Sequence, residues 1–572
     1  MTLLLFLIIV ALLVIAFAEP LGERIGVVAP VILLIVGVAS AYLPQVPEIE
    51  VDPEIILQLI LPPLLFSTAM RMPEHDFRRN FRPIVILAVV LVAVTSVCVG
   101  ALLHLLVPEI PLPYAIALGA VVSPSDAVAV GIVKRAGVNR RIVSILDGEG
   151  LINDASALVV LGTALLAAES PVSAGDVAGS FLWAVAGAVA VGFAIGQLFM
   201  FLHRYVHHAT SNTVLSLAVP FAAFLPAEGI GSSGLVATVV AGLVAAHNAP
   251  RVLSPATRVT EGQTWDTVGL VLESLVFVLM GLQMPHLVDD AVASGFGLES
   301  SLTLALIVWL TVLLVRGLIV VPMLWYMRTR IPARRRRARR LEKASAALNS
   351  APSGTWRWRH ARFRVDLLQS DLSYYADQSL GLRAGGAIVW AGMRGAVTLA
   401  AAQTLPPATP ARGFLILLAF FVAAASLVVQ GGSLKWVVDK LNPGADVPSS
   451  VEDRKRIREA LGRAAASVPV PKELEDRMVA GGLERAQISR AGTLDMMRAF
   501  RAAGPLSAHG ASQLIEYARA RVGAQREALL DERDAARIDA SDFDRQLRML
   551  DAQELVVDAV ASENRNRQEQ GS

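Results

Sequence analysis

Long apolar runs separated by short polar loops are the dominant pattern along this chain. A run of roughly 17–25 apolar residues can cross a bilayer as a helix, and the sequence contains about thirteen such runs. The pattern therefore predicts an all-α polytopic membrane protein with about 13 transmembrane helices. The predicted spans are residues 2–18, 26–43, 54–70, 83–107, 114–133, 142–168, 177–202, two spans within 213–246 that divide near 226–229, then 265–284, 302–327, 385–405 and 413–438.

The charges in the polar loops predict the orientation of these spans. Lys and Arg are enriched in short cytoplasmic loops, and the basic loops here are residues 71–82, 134–141, 203–208 and 328–340. With an odd number of spans and the N-terminus outside, all four loops and the C-terminus lie in the cytoplasm. The first apolar run lacks the positive segment of a secretory signal, so we expect it to be retained as a span.

Polar composition marks two segments outside the predicted membrane domain, which covers residues 1–440. Residues 328–384 read as a cytoplasmic insertion that begins with an arginine cluster. Residues 449–572 are rich in Ala, Arg, Glu and Asp, with apolar residues at helical spacing. This segment is predicted to be a soluble, helical cytoplasmic C-terminal domain, with regulation as its expected role.

The composition supports the membrane assignment and excludes several other classes. Hydrophobic residues make up 54% of the 572 residues and charged residues 17%, whereas a soluble protein has about 25% charged residues. The net charge is 51 − 49 = +2, and the basic residues lie in short turns, so no nucleic-acid partner is expected. Cys98 is the single cysteine, which excludes an internal disulfide and a cysteine metal site. No cofactor is predicted.

The fifth predicted span contains a proline next to a carboxylate. Pro124 removes one helical hydrogen bond, and Ser123 and Ser125 favour local bonds between side chain and backbone. The helix is therefore expected to break near the middle of the membrane, beside Asp126. Transporters use discontinuous helices of this kind to bind the transported ion.

A second break is predicted in the twelfth span. Gly392 and Gly395 flank Arg394, far from either end of the apolar run, and glycine permits non-helical backbone. Asp126 and Arg394 are seven spans apart, so their two helices run in opposite directions. Inverted repeats have this arrangement, with two broken helices crossing at the midplane.

The sixth span carries the densest group of polar residues. Glu149 and Asn153 are one helical turn apart and share a face, and Asp154 lies about 100° further round. A carboxylate at mid-membrane costs about 2.5–3.5 kcal/mol and usually handles ions or protons. Burial favours the protonated form of Asp154, so a proton and a hard monovalent cation can compete for it. No cluster of His or Cys suggests a transition metal.

The remaining buried charges require partners. Arg316 lies deep in the eleventh span and Glu273 lies inside the tenth. We expect Glu149 to pair with Arg316 as a structural ion pair. Arg394 is the second candidate partner, or a positive group close to the ion pathway.

Five short motifs, in this order, resemble the monovalent cation/proton antiporters of the NhaP/NHE family. They are L-P-P-L-L-F at 61–66, S-D-A-V-A at 125–129, G-E-G-L-I-N-D-A at 148–155, E-S-L-V-F-V-L-M-G at 273–281 and G-M-R-G-A-V at 392–397. Three places depart from the family pattern. Ser67 stands where an acidic residue often follows the first motif, and Gly150 stands where Ser usually follows Glu149. Ser125-Asp126-Ala127 replaces the commoner Thr-Asp-Pro, so the helix break relies on Pro124 instead.

The resemblance implies a fold, a function and a site. It implies a homodimer in the bacterial plasma membrane that exchanges Na⁺, K⁺ or Li⁺ for H⁺ by an elevator-like movement of a core domain. It implies that Asp154 is the main carrier of cation and proton, supported by Asn153, with Ser125 and Asp126 completing the site. The Asn-Asp form is associated in the family with electroneutral exchange.

Other functions remain open at this stage. A cation channel could use the same carboxylates, and a K⁺/H⁺-selective exchanger could be gated by the C-terminal domain. A sensor with that domain as its output is a further possibility. A membrane-embedded enzyme would need a nucleophile with a base, or metal ligands, and no such motif lies in the spans. The chain is therefore not expected to be an enzyme.

Overall fold

The computed structural model shows a helical protein with two compact units. The first unit comprises residues 1–249, 261–331 and 378–446, and the second comprises residues 250–260, 332–377 and 447–572. The structure describes residues 2–43, 54–72, 74–126, 128–169, 174–206, 208–293, 295–329, 380–444, 451–482, 484, 508–535, 538 and 540–570. The predicted insertion at 328–384 therefore lies mostly outside the described residues.

Helices, most of them apolar, make up the membrane part of the chain. In order they are α1 (Thr2–Ile25), α2 (Ala29–Ala41), α3 (Leu61–Arg71), α4 (Glu74–Val85), α5 (Leu91–Leu106), α6 (Leu112–Val121), α7 (Val128–Arg135), α8 (Arg140–Glu169), α9 (Ala174–His203), α10 (Ala209–Gly229), α11 (Gly234–Val252), α12 (Pro255–Leu282), α13 (Met284–Ala293), α14 (Leu298–Thr329), α15 (Leu382–Trp390), α16 (Ala396–Gln403), α17 (Arg412–Ala425) and α18 (Gly432–Leu441). Short π-helical turns at Ile55–Ile60, Ile86–Val90 and Ser426–Gly431 lead into α3, α5 and α18.

Several of these helices have the length and composition of membrane spans. Among the described residues, eight continuous helices are long and apolar enough to cross a bilayer, and α1 with α2 forms a further pair bent by 119°. The described residues contain helices and no strands. The predicted all-α polytopic membrane fold is confirmed, whereas the number of about thirteen spans stays a prediction.

The backbone just before the Pro62-Pro63 pair departs from regular α-helix without ending the helix. Leu61 donates its N–H to the carbonyl of Ile56, five residues back, so the turn before the prolines is a π-turn. The chain then continues as α3, in which both prolines are buried. Helices α8 and α10 pack against α3, so the disturbed backbone lies within the protein.

The centre of the first unit is the continuous helix formed by α17, the π-turn and α18. In its most apolar stretch 78% of the residues are buried, against 33–50% in the other seven long spans. A helix that is apolar all round and buried belongs to a protein core rather than to a lipid-facing surface. It packs against α13, α14 and α16, and α16 is one of the short helices of the candidate site.

The described part of the second unit contains four helices that are rich in charged residues. They are α19 (Val451–Ala466), α20 (Lys472–Ala480), α21 (Ala508–Asp534) and α22 (Ala540–Gln570). Helix α21 packs against α19 and α22. Their shared core is apolar and includes Ile457, Leu461, Val522, Leu529 and Phe543. The helical character that the sequence predicts for 449–572 is therefore present in the described part of this segment.

Candidate functional site

Two broken helices meet in the first unit. Helix α6 ends at Val121 and α7 begins at Val128, and α15 ends at Trp390 before α16 begins at Ala396. Each half has eight to ten residues, so none is longer than about 15 Å, half the thickness of a hydrocarbon core. The two non-helical segments touch, because the N–H of Asp126 donates to the carbonyl of Met393 at 2.8 Å. The breaks that the sequence predicts are confirmed.

Arg394 stabilises the C-terminal ends of the first half of each broken helix. Its Nε donates to the carbonyl of Val122, just after α6, at 2.6 Å, and its Nη1 donates to the carbonyl of Gly392, just after α15. Its backbone N–H donates to Ser426 Oγ at 2.8 Å. Helix C-termini carry partial negative charge, so the buried guanidinium offsets two of them. It makes no ion pair with a carboxylate in the described parts of the chain.

Asp126 lies at the N-terminal end of the second half of each broken helix, α7 and α16. Its Oδ1 accepts a long hydrogen bond, 3.4 Å, from the N–H of Val128 at the start of α7. Its Oδ2 lies beside Gly395, where a Cβ atom would be only 2.3 Å away, directly before α16. Helix N-termini carry partial positive charge, so the carboxylate of Asp126 faces two of them. The acidic side chain of Asp126 thus lies at the positive ends of two half-helices, and the basic side chain of Arg394 lies at the negative ends of the other two.

Helix α8 holds the first non-helical segment in place through Ser125. The Oγ of Ser125 donates to Glu149 Oε1 at 2.9 Å. The Nδ2 of Asn153 donates to the Oγ of Ser125 at 2.9 Å and to its carbonyl at 3.2 Å. The described residues give the Oδ1 of Asn153 no hydrogen-bond partner. In this structure Asn153 therefore contacts the broken helix, and its side chain positions Ser125.

Glu149 and Arg316 form a buried bidentate ion pair. Arg316 Nη2 donates to Glu149 Oε2 at 2.8 Å, and Nη1 donates to Oε1. Their side chains are only 1–2% exposed. The Nε of Arg316 donates to the carbonyl of Ile388 in α15 at 3.1 Å. A Cβ at Gly392 would lie 2.3 Å from that Nε, so the glycine makes room for the guanidinium. Glu149 is thus fully engaged, and the pair ties α8 to α14 and α15.

A small cavity lies between the two breaks and α8. Its lining includes Asp126, Asp154 and Ser125, together with Leu64, Leu65, Thr68, Pro124, Val130, Leu146, Asp147, Gly150, Gly395, Val397 and Thr398. The cavity has a volume of about 50 Å³, and one water needs roughly 10–15 Å³ of cavity volume. A monovalent cation with two or three waters therefore fits.

Asp154 presents its carboxylate to this cavity. The residue is 7% exposed, and it makes no hydrogen bond or ion pair in the described ranges. Asp147 also lines the cavity, and its Oδ2 lies 3.4 Å from Lys134 Nζ. Three carboxylates from the described part of the chain line the cavity. Asp126 faces helix N-termini and Asp147 lies beside Lys134, whereas Asp154 contacts neither a basic side chain nor a helix N-terminus in the described residues. Asp154 is therefore available to bind a proton or a cation.

Five sequence-predicted residues lie outside the cavity lining: Glu149, Arg316 and Arg394, whose contacts are given above, and Asn153 and Glu273. The side chain of Asn153 binds Ser125 instead, as described above. Glu273 is a half-buried residue of α12, and within the described residues it has no hydrogen bond or ion pair. Conversely, Thr68 and Thr398 line the cavity and sequence reasoning missed both. In the sequence, both threonines stand within about eight residues of an irregular part of a helix, which could have marked their hydroxyl groups as candidates.

Comparison with known proteins identifies the family. The sequence model described as "Sodium/hydrogen exchanger, transmembrane" matches residues 8–440, which is most of the 572-residue chain. The chain belongs to the sodium/hydrogen exchanger family. This exchanger family transports monovalent cations and protons across membranes, and the resemblance seen in the five sequence motifs is confirmed.

Relatives and a solved structure agree with the assignment to the exchanger family. The chain is 31% identical over 454 residues to an "Uncharacterized Na(+)/H(+) exchanger" of Mycobacterium tuberculosis strain H37Rv, covering 78% of this chain and 75% of that protein. It is 33% identical over 328 residues to the "Sodium, potassium, lithium and rubidium/H(+) antiporter" of Bacillus subtilis, covering 54% and 49%. The sodium proton antiporter MjNhaP1 of Methanocaldococcus jannaschii shares the fold, with a TM-score of 0.55 at 16% identity over 77% of this chain and 99% of that one.

Proposed function

We propose that this chain exchanges Na⁺, K⁺ or Li⁺ for H⁺ across the bacterial plasma membrane, with Asp154 holding either the cation or the proton. The observation that carries the proposal is the carboxylate of Asp154 in a cavity that can hold a cation with two or three waters, without a basic partner in the described residues. Oxygen ligands suit hard cations. Asp126 and Ser125 line the same cavity and complete the proposed cation site.

The charges around the cavity support an electroneutral exchange. Glu149 is neutralised by Arg316, and the charges of Asp126 and Arg394 face opposite helix ends. Asp154 is then the carboxylate whose charge changes during transport. Exchange of one cation for one proton on a single carboxylate moves no net charge across the membrane.

The broken helices support alternating access to the site. The non-helical backbone of each broken helix lies at the cavity, and neighbouring residues form hydrogen bonds with its N–H and carbonyl groups. Transporters move such segments against a second helix bundle. We assign the same elevator-like movement to this chain, as a homodimer with its N-terminus outside and its C-terminus in the cytoplasm. Residues 449–572 are assigned a regulatory role in the cytoplasm.

Proton movement in everted vesicles tests the proposal directly. Vesicles containing the full chain are energised, and Na⁺, K⁺ or Li⁺ is added over a pH series while a dye reports the internal pH. The wild-type chain is expected to release protons on cation addition. Asp154→Asn is expected to abolish this release, whereas Asp439→Asn, which alters an exposed carboxylate of α18, leaves it unchanged.

Two outcomes would contradict the proposal. Undiminished exchange by a folded Asp154→Asn variant, judged by a monodisperse elution profile, would remove Asp154 from the pathway. Cation current without proton counterflow would make the protein a channel. Electroneutrality is tested by clamping the membrane potential, which should leave the exchange rate unchanged.

A further inference from the structure

One hydroxyl group of the cavity lining has no hydrogen-bond partner among the described residues. Three hydroxyl side chains line the cavity, those of Thr68, Ser125 and Thr398. Thr68 Oγ1 donates to the carbonyl of Leu64 at 3.0 Å, and Ser125 Oγ is engaged by α8. Thr398 Oγ1 is buried and has no hydrogen-bond partner among the described residues, and the whole residue is 1% exposed.

The break before α16 explains why this hydroxyl is available. A threonine inside a helix commonly donates to the carbonyl four residues back. For Thr398 the residue four positions back is Arg394, which precedes the helix. The carbonyl of Arg394 instead accepts a long hydrogen bond, 3.4 Å, from Ser426 Oγ. Gly395 between them is extended, with φ −119° and ψ −169°, and its carbonyl accepts the N–H of Thr398 at 3.2 Å. The break therefore leaves this hydroxyl without a helical acceptor, on a residue that lines the cavity.

We propose that Thr398 Oγ1 is a further ligand of the transported monovalent cation. This inference rests on the proposed exchange function and adds a neutral oxygen to the carboxylates of Asp126 and Asp154. A hydroxyl suits both occupied states, because it accepts and donates. In the cation-bound state its lone pair faces the ion and its O–H can donate to a carboxylate oxygen. In the proton-bound state the same oxygen can accept from a protonated carboxyl group.

The position of the ligand has a consequence for transport. Asp154 belongs to α8, whereas Thr398 belongs to the second broken helix. A cation bound by Asp154 and Thr398 connects α8 with the second broken helix. A proton needs the hydroxyl less, because it is held by a covalent bond to one carboxylate oxygen. Loss of the hydroxyl should therefore affect cation binding more than proton binding.

Two variants of Thr398 test this inference in full-length protein. Thr398→Val keeps the shape of the side chain and removes the hydroxyl, and Thr398→Ser keeps the hydroxyl. The apparent KM for Na⁺, K⁺ and Li⁺ is measured from proton release in vesicles. Thr398→Val is expected to raise KM about five- to tenfold, the usual consequence of losing one polar contact, with the maximal rate retained. Thr398→Ser is expected to stay near the wild-type KM.

Thr95→Val is the matched control. Thr95 is 0% exposed, and its Oγ1 also lacks a partner among the described residues, but it lies on α5 and does not line the cavity. It should leave KM unchanged. An unchanged KM in Thr398→Val, or equal effects of the two valine variants, would overturn the inference. Failure of the exchange function itself would appear differently, as wild-type vesicles without cation-dependent proton release.

Discussion

The carboxylate of Asp126 lies directly against the backbone of Gly395. A Cβ atom at Gly395 would be 2.3 Å from Asp126 Oδ2 and 2.4 Å from its Cγ, which is far inside van der Waals contact. The backbone of Gly395 itself is unstrained for any residue, since its φ is −119°. The glycine is therefore required by the close approach of the two broken helices and not by its conformation.

Gly395→Ala should therefore separate the two breaks and inactivate the exchanger. The added methyl group must displace Asp126 from the N-termini of α7 and α16, and overpacking of this kind costs about 1–3 kcal/mol. We expect loss of most cation-dependent proton release, with protein still present in the membrane. Gly162→Ala is the control, because a Cβ there meets no atom within 4 Å. Equal activity of the two variants would show that the helices can move apart without consequence.

The buried pair of Glu149 and Arg316 is expected to determine stability more than ion affinity. Arg316→Ala leaves a carboxylate buried without its partner, which costs about 3–5 kcal/mol. The thermal unfolding temperature of the purified protein should fall clearly. The double variant Glu149→Gln/Arg316→Met removes both charges and should recover most of that loss. If Arg316→Ala instead shifts the apparent cation KM at normal stability, Arg316 belongs to the ion site.

The sequence predicts the scaffold of the site better than its lining. Pro124, Gly392 and Gly395 indicate both breaks, because proline and glycine act on their own backbone. Arg316 is the partner of Glu149 that the sequence analysis expects, with Arg394 as the second candidate, and the structure contains the pair with Arg316. The choice between the two arginines depends on how α14 and α15 pack, which local sequence does not determine.

The roles of Asn153 and Thr398 depend on tertiary contacts in the same way. Asn153 was predicted to support Asp154 at the ion, whereas the structure has its amide donating to Ser125. Thr398 was missed because its hydroxyl is available only once the turn before α16 is non-helical. Glu273 stays a prediction as a pathway residue, since its side chain has no ion pair in the described ranges.

Gly150→Ser should add an oxygen ligand to the cavity. Gly150 lines the cavity, and a Cβ at this position meets no atom within 4 Å, so the larger side chain fits. It precedes Asp154 by one helical turn and therefore shares its face. We expect the apparent KM for Na⁺ and Li⁺ to fall about two- to fivefold, which corresponds to one modest polar contact.

The control for this gain is a serine elsewhere on the same helix. Gly162→Ser brings the same increase in helix propensity, about 0.5 kcal/mol, and Gly162 is exposed and outside the cavity. It should raise thermal stability slightly and leave KM unchanged. A KM that rises in Gly150→Ser would mean that the open space at this position is needed for the hydrated cation, and that the site binds the ion through water rather than through an added hydroxyl.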